Sequence, residues 1–144
     1  MLGFGSKASI YDSALVIGDV QVGEGTWVGP FTVLDGVGGL RIGKFCSISA
    51  GVQIYTHDSV EWALSGGKAE TRRAPTTIGD RCYIGPNVVI VKGVTIGDGT
   101  VIGANSVVIA DVPAGSVAHG NPCRVVRRVD DEHIGGGEGH ELTD

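Results

Sequence analysis

Apolar residues return at every sixth position over long stretches of this chain. Ile78, Ile84, Ile90, Ile96, Ile102 and Val108 stand six apart without a break, and Ile42, Ile48, Ile54 and Val22, Val28, Leu34 repeat the spacing upstream. Gly follows the anchor at 79, 85, 97 and 103, and a small or β-branched residue recurs four places after it: Cys82, Val88, Val94, Thr100 and Ser106, with Thr26, Thr32, Cys46 and Val52 earlier. An amphipathic helix shows apolar steps of three and four residues, and a half-buried strand steps of two. Period six instead predicts a short strand plus a turn in each unit. Three units close one triangular coil, and successive coils pair in parallel with their anchors stacked inside. The Gly after each anchor is expected to supply backbone conformations that a corner needs. Interior Thr, Ser and Cys suit tight corners where they bond along the stack, so Cys46 and Cys82 read as core residues.

The repeat breaks in three places, and breaks in such an array map to loops. Leu34 to Ile42 spans eight residues instead of six, so 35–40 bulges by two. Between Ile54 and Ile78 runs a polar excursion, 55–77, and after Val108 the turn Asp111-Val112-Pro113 leads into a closing segment, 113–128. The expected organisation is one β-helix domain over 1–128 and an acidic, Gly-rich, disordered tail over 129–144. Roughly four to five coils follow from the repeat count. Ile10 and Leu15 are expected to cover one open end. At the other, Val125, Val126 and Val129 turn inward while Arg124, Arg127 and Arg128 turn outward. So thin a prism has a small core, which predicts side-by-side association.

Composition supports an all-β reading, because Val and Ile far outnumber Leu among 144 residues that include 25 Gly. There is no G-X-Y period, and the hydrophobic fraction of 42% excludes a disordered or collagen-like chain. A formal charge of −5 without a basic stripe argues against a nucleic-acid partner. Three Cys, an odd number, no recognisable leader at Met1 and no apolar run of bilayer length place the expectation in the cytoplasm, away from membranes.

The run IGDRCYIGPNVVIVKGVTIGDGTVIGANSVVIADVPAGSVAHGNPCRVVRR, Ile78 to Arg128, resembles the C-terminal half of hexapeptide-repeat acyltransferases: repeated IG units, GAxSVV, DVP, and a GNP turn before a basic end. Upstream, IGKFCSISAGVQIYTHD, Ile42 to Asp58, is similar to the segment leading to their catalytic His. The resemblance covers about 110 residues and implies a left-handed parallel β-helix, an exception to the right-handed crossover rule. It also implies a homotrimer with acyl-CoA sites between neighbouring prisms. The chain is expected to depart from the maltose and galactoside acetyltransferases in lacking their N-terminal helical extension. Asp58 follows the His where Pro is common, and Cys123 stands where Ala is usual. The excursion WALSGGKAE, Trp62 to Glu70, is closer to members that acylate sugars or sugar nucleotides of surface glycans.

Acyl transfer from a thioester needs a nucleophile relieved of its proton and donors for the developing oxyanion. His57 opens the long excursion, has an imidazole suited to proton transfer near neutral pH, and matches the family's catalytic His. Asp58 and Glu61 are candidates to orient its ring, with a backbone carbonyl or plain solvated loop carboxylates as alternatives. His119 is a weaker base candidate, expected to line the cofactor groove or face water, while His133 and His140 fall in the tail. The resemblance places the pantetheine arm of acetyl-CoA along the backbone of Gly103 and Ala104, and Tyr83 at the family's Trp position, where it could wall the acyl or acceptor pocket or stand outward at the trimer seam. Arg127 and Arg128 suit the 3′-phosphate of CoA. On the acceptor side, Asp35, Trp62, Arg72 and Arg73 fall at the two interruptions nearest the expected site. Trp62 could stack on a sugar or pack on a neighbouring subunit, and the Arg pair could take an acceptor's phosphates. No metal is expected, because the carbonic-anhydrase-like relatives need three converging His and only His57 and His119 lie in the repeat domain. The expectation is a trimeric acetyl-CoA-dependent transferase acting on a hydroxyl or amine of a small-molecule sugar or sugar nucleotide. The rivals are a non-catalytic β-helix assembly subunit and a metal-dependent lyase.

Overall fold

In the computed structural model, which describes residues 2–130, every anchor of the six-residue repeat faces inward. The chain winds as a left-handed solenoid of about six turns, more than the four to five expected. Wall one carries Leu2–Phe4, then 20–22, 40–42, Thr76–Ile78 and Thr95–Ile96. Wall two stacks Ser9–Ile10, Trp27–Val28, Ser47–Ile48, Tyr83–Ile84, Val101–Ile102 and Ser116–Gly120 in parallel. Wall three carries 15–18, 33–36, Gln53–Ile54, Val89–Ile90 and Val107–Val108. Ile10 and Leu15 are therefore parts of the first coil and not a lid over it, and Leu15 is exposed.

Inside, one ladder per wall runs down the prism: Val22, Ile42, Ile78, Ile96; Val28, Ile48, Ile84, Ile102; and Leu34, Ile54, Ile90, Val108. All are buried, so the repeat is a packing requirement as well as a backbone one. Corner positions make a fourth ladder. Thr26 Oγ1 donates to the Gly43 carbonyl (2.6 Å), Cys46 Sγ to Gly79 (3.0 Å) and Cys82 Sγ to Gly97 (3.2 Å). The two thiols occupy the place of a threonine hydroxyl and bond as it does.

The glycines after the anchors serve a different purpose from the one expected. Their φ is not positive. A Cβ on Gly79 would lie 2.3 Å from Asp98 Oδ1 and 2.7 Å from Asp98 N, and one on Gly97 would lie 2.4 Å from Ala114 N. Adjacent coils approach too closely there for any side chain. The left-handed backbone instead falls two residues later, at Arg81 (φ 56°), Asn87 (59°) and Asn105 (61°).

After the turn at 121–122, Cys123–Arg128 folds back antiparallel on Ser116–Gly120. Cys123 packs against the core, but Val125 and Val126 are 46% and 52% exposed, so the expected inward turn does not occur. An edge-covering strand of wall two exposes both of its faces beyond the last coil. Val129 N–H donates to the Gly115 carbonyl (2.8 Å) and belongs to this cap, while 131–144, with His133 and His140, lie outside the described residues.

Candidate active site

The site grows from two interruptions at one corner, where wall three turns toward wall one. Register explains their meeting. Leu34 pairs with Ile54, so Asp35 lies one coil above Tyr55. The last regular rung is Tyr55 N–H to the Ile90 carbonyl (2.9 Å), and Thr56 then locks the excursion to the bulge. Thr56 N–H donates to Asp35 Oδ2 (3.0 Å), its hydroxyl donates to the Asp35 carbonyl (2.8 Å), and that hydroxyl accepts Gly38 N–H (2.8 Å). His57–Asp58 pairs antiparallel with Arg72–Arg73, and a short helix, Val60–Leu64, fills part of the excursion between them. Thr76–Ile78 is already on wall one, so the excursion ends at Pro75 instead of 77.

His57 Nδ1 meets Asp35 Oδ2 at 2.5 Å. Asp35 is 1% exposed and also accepts Val37 N–H on Oδ1 (2.9 Å). Burial alone would raise its carboxyl, but the N–H groups of Thr56 and Val37 and the His57 ring outweigh that and hold it below the ordinary carboxylate range. An ionised Asp35 can only accept, so Nδ1 carries a proton, and in the neutral ring Nε2 then keeps the lone pair. This is the arrangement that a general base needs. Asp35 is therefore not an acceptor ligand, because no substrate can reach it. It is the ring's orienting partner, a role for which the sequence offers only Asp58, Glu61 or a backbone carbonyl as candidates. Asp58 Oδ2 instead accepts from Lys92 Nζ (2.7 Å), which with Val60 N–H holds its carboxyl low, and Glu61 Oε1 accepts from Arg72 (2.6 Å).

His57 borders a cavity of about 510 Å³ whose other walls are Tyr55, Asp58, Ser59, Val60, Ala63, Val91 and Lys92. The helix buries none of its residues; Trp62 lies beside Gly67 and is 51% exposed. Arg72 is paired with Glu61 at an exposed position on the ribbon.

Of the remaining expected site residues, Gly103, Ala104 and His119 meet at another corner, where wall two turns into wall three. Gly103 and Ala104 form that turn, half-buried Tyr83 faces outward on wall two, and half-buried His119 follows Ala118. Gly103 N–H donates to the Ala118 carbonyl (2.9 Å) and its carbonyl accepts the Ser106 hydroxyl (2.7 Å), so the Gly103 amide is committed within the chain. What the corner offers is a strip bearing nothing larger than a methyl group at 103–104, with exposed Arg124 of the cap paired beside His119, while Arg127 and Arg128 lie back along wall two opposite Val117 and Ser116. That suits a long, thin donor with an anionic end. Within one chain this strip and His57 occupy different corners, separated by wall three. Among the described residues no three His, Cys, Asp or Glu side chains gather into a metal-sized cluster.

A solenoid of six-residue units with a His on its one long excursion defines a class, and the comparisons agree with it. Residues 75–110 match the bacterial transferase hexapeptide (six repeats) family. A hexapeptide-repeat containing acetyltransferase from Vibrio cholerae superimposes with a TM-score of 0.82 at 32% identity over 90% of this chain and 74% of that one. The same protein complexed with acetyl-CoA gives 0.80 at 33% identity, over 88% and 70%. The galactoside O-acetyltransferase of Escherichia coli is 34% identical over 76% of this chain and 64% of its own length, and nodulation protein L of Rhizobium leguminosarum bv. viciae is 41% identical over 74% and 56%. The chain belongs to the hexapeptide-repeat acetyltransferase family. It spans less than two thirds of the length of the curated relatives it matches.

Proposed function

We propose that this protein is an acetyl-CoA-dependent acyltransferase that acetylates a hydroxyl or amine of a sugar or sugar nucleotide, with His57 as general base. The carrying observation is the buried Asp35 carboxylate bonded to His57 Nδ1 at the edge of a cavity. His57 Nε2 takes the acceptor's proton as its oxygen or nitrogen attacks the thioester carbonyl. Asp35 stabilises the imidazolium that results, and His57 returns the proton to the departing thiolate. Acetyl-CoA supplies the activated acetyl group, and the strip at Gly103 and Ala104, with Tyr83 and His119 near it and Arg127 and Arg128 farther along the cap strand of wall two, is the surface proposed to hold it. Because that strip and His57 lie at different corners, one copy's strip would serve the His57 of a neighbour, which favours a homotrimer. Three free thiols, two of them buried, and a donor made in the cytoplasm favour that compartment.

Calorimetric titration with acetyl-CoA is the first test. Saturable binding near one site per chain, retained in His57→Ala while turnover falls about 10²–10⁴-fold, is the expected result. A mild His57→Ala phenotype would indicate an amine acceptor, whose own lone pair needs less help. Light scattering should give three times the 14.8 kDa chain mass. A folded protein that binds no acetyl-CoA would end the transferase reading and leave a structural β-helix subunit.

A further inference from the structure

The ribbon that carries His57 has a second strand, and its register singles out one cation. His57 is paired with Arg73, and Asp58 with Arg72. Partners across an antiparallel ribbon project from the same face, with Cβ atoms about 4.5–5.5 Å apart. The rule is visible one step along, where Arg72 contributes to the field that lowers Asp58. Arg73 thus leaves the ribbon on the His57 side. The backbone beneath it is fixed, since the next residue, Ala74, donates N–H to the Thr56 carbonyl (3.0 Å) and Thr76 is buried.

The two nearest other cations, Lys92 on the cavity wall and Arg72 on the ribbon, are neutralised. Lys92 is paired with Asp58, and Arg72 with Glu61. Arg73 forms no ion pair and no side-chain hydrogen bond among the described residues. Asp35 is engaged by His57, Thr56 and Val37, and Glu70, which lines a second depression of about 490 Å³ with Arg73 and Thr71, is not within ion-pair distance. On a chain of net charge −5, an uncompensated guanidinium one cross-strand step from the proposed base is a specific feature. Guanidinium groups present a planar fork suited to phosphate and carboxylate oxygens.

Resting on the transferase reading above, we propose that the acceptor is an anion, and that Arg73 binds its phosphate or carboxylate while the reacting hydroxyl or amine lies at His57. Arg73 is a specificity residue for the acceptor and takes no part in proton transfer. Arg72, its neighbour, holds the helix through Glu61 instead.

The test uses the full-length protein with three probes: UDP-N-acetylglucosamine as a phosphate-bearing sugar, glucuronate as a carboxylate-bearing one, and methyl galactoside as a neutral one. Wild type is expected to bind one anionic probe at least about tenfold more tightly than methyl galactoside, with an affinity that falls as KCl rises. Arg73→Gln should weaken that binding about 10–100-fold, the range for a charge-assisted pair, Arg73→Lys should restore part of it, and Lys68→Gln on the same excursion should leave it unchanged. Which anionic probe binds identifies the group recognised. Acetyl-CoA is titrated in parallel, and its affinity should be the same in every variant. If acetyl-CoA binds but the anionic probes bind no better than the neutral one, or bind Arg73→Gln as well as wild type, the anionic acceptor is overturned and the transferase reading stands. If folded wild type binds no acetyl-CoA, both fall together.

Discussion

Replacing Asp35 by Asn changes one atom's chemistry at the point where three hydrogen-bond donors converge. Oδ1 accepts Val37 N–H, and Oδ2 accepts Thr56 N–H and meets His57 Nδ1. A carboxylate satisfies all three, whereas a carboxamide has one oxygen and one NH₂ group. With its oxygen toward His57, Asn leaves Val37 N–H facing a donor; with its oxygen toward Val37, it sets NH₂ against Thr56 N–H and forces His57 Nδ1 to accept. A buried donor without a partner costs about 1–3 kcal/mol, so the first arrangement loses about that much and the second somewhat more. Asp35→Ala removes both acceptors, leaves the N–H groups of Thr56 and Val37 unpaired, and should cost about 2–6 kcal/mol. Urea unfolding of both variants measures these losses. The ¹⁵N shifts of the His57 ring report where its proton is: on Nδ1 in wild type, on Nε2 in whatever fraction of Asp35→Asn adopts the second arrangement. Turnover should fall about 10²–10⁴-fold in proportion to the lost base. An Asp35→Asn protein within about 0.5 kcal/mol of wild type, with its proton unmoved and full activity, would refute the proposed pairing.

Other outcomes follow from the same geometry. Gly79→Ala forces a Cβ to within 2.7 Å of Asp98 N and should destabilise by about 1–3 kcal/mol in thermal or urea melts. Arg81→Gly, at φ 56°, relieves a left-handed residue at some cost in chain entropy and should be within about 1 kcal/mol of neutral. The reverse order of these two would undo the assignment of close approach to one corner position and left-handed backbone to the other. Because the Asp35 pKa is lower folded than unfolded, its contribution to stability is present above the unfolded value of about 3.9 and is lost as pH falls through the folded value. The gap in unfolding free energy between wild type and Asp35→Asn should therefore narrow as pH falls below about 4. Cys82→Thr should retain the fold, since a hydroxyl can make the bond to Gly97 that the thiol now makes; loss of cooperative unfolding would show that the thiol is needed for more than packing.

The repeat made the walls, ladders and corners legible because each anchor has one physical duty, repeated with few variations. What failed were the places where one residue type serves two needs. Gly after an anchor is compatible both with positive φ and with close backbone approach, and only the inter-coil distances separate the two. The mixture of Val and Arg in the cap suggested an inward face, but a strand added beyond the last coil has no core to face, and Val125 and Val126 are exposed. His57 was legible from its motif. Asp35 was visible as the start of a bulge, yet its role depends on a residue 22 positions away. Stacking the coils on Leu34 and Ile54 brings Asp35 directly above Tyr55, and that alignment carries the signal that local sequence around His57 does not.

The position of the site follows from what a regular corner cannot provide. At ordinary corners the buried companion residue is neutral, either Thr, Ser or Cys making one or two bonds to nearby backbone or Val making none. A buried carboxylate needs several donors, and a saturated ladder has no N–H groups to lend. The two extra residues between Leu34 and Ile42 release Val37 N–H from the ladder, and the excursion after Ile54 releases Thr56 N–H, so both donors reach Asp35. Either interruption alone would leave the carboxylate short of a partner. The excursion itself is tolerated because it leaves the phase intact: Ile42 and Ile78 are 36 residues apart, twice the 18 that separate Ile78 from Ile96, and still stack as direct neighbours. Below the corner, the ladder resumes and holds the returning strand at Thr76–Ile78. The rigid prism thus fixes both ends of the ribbon on which His57 and Arg73 face each other.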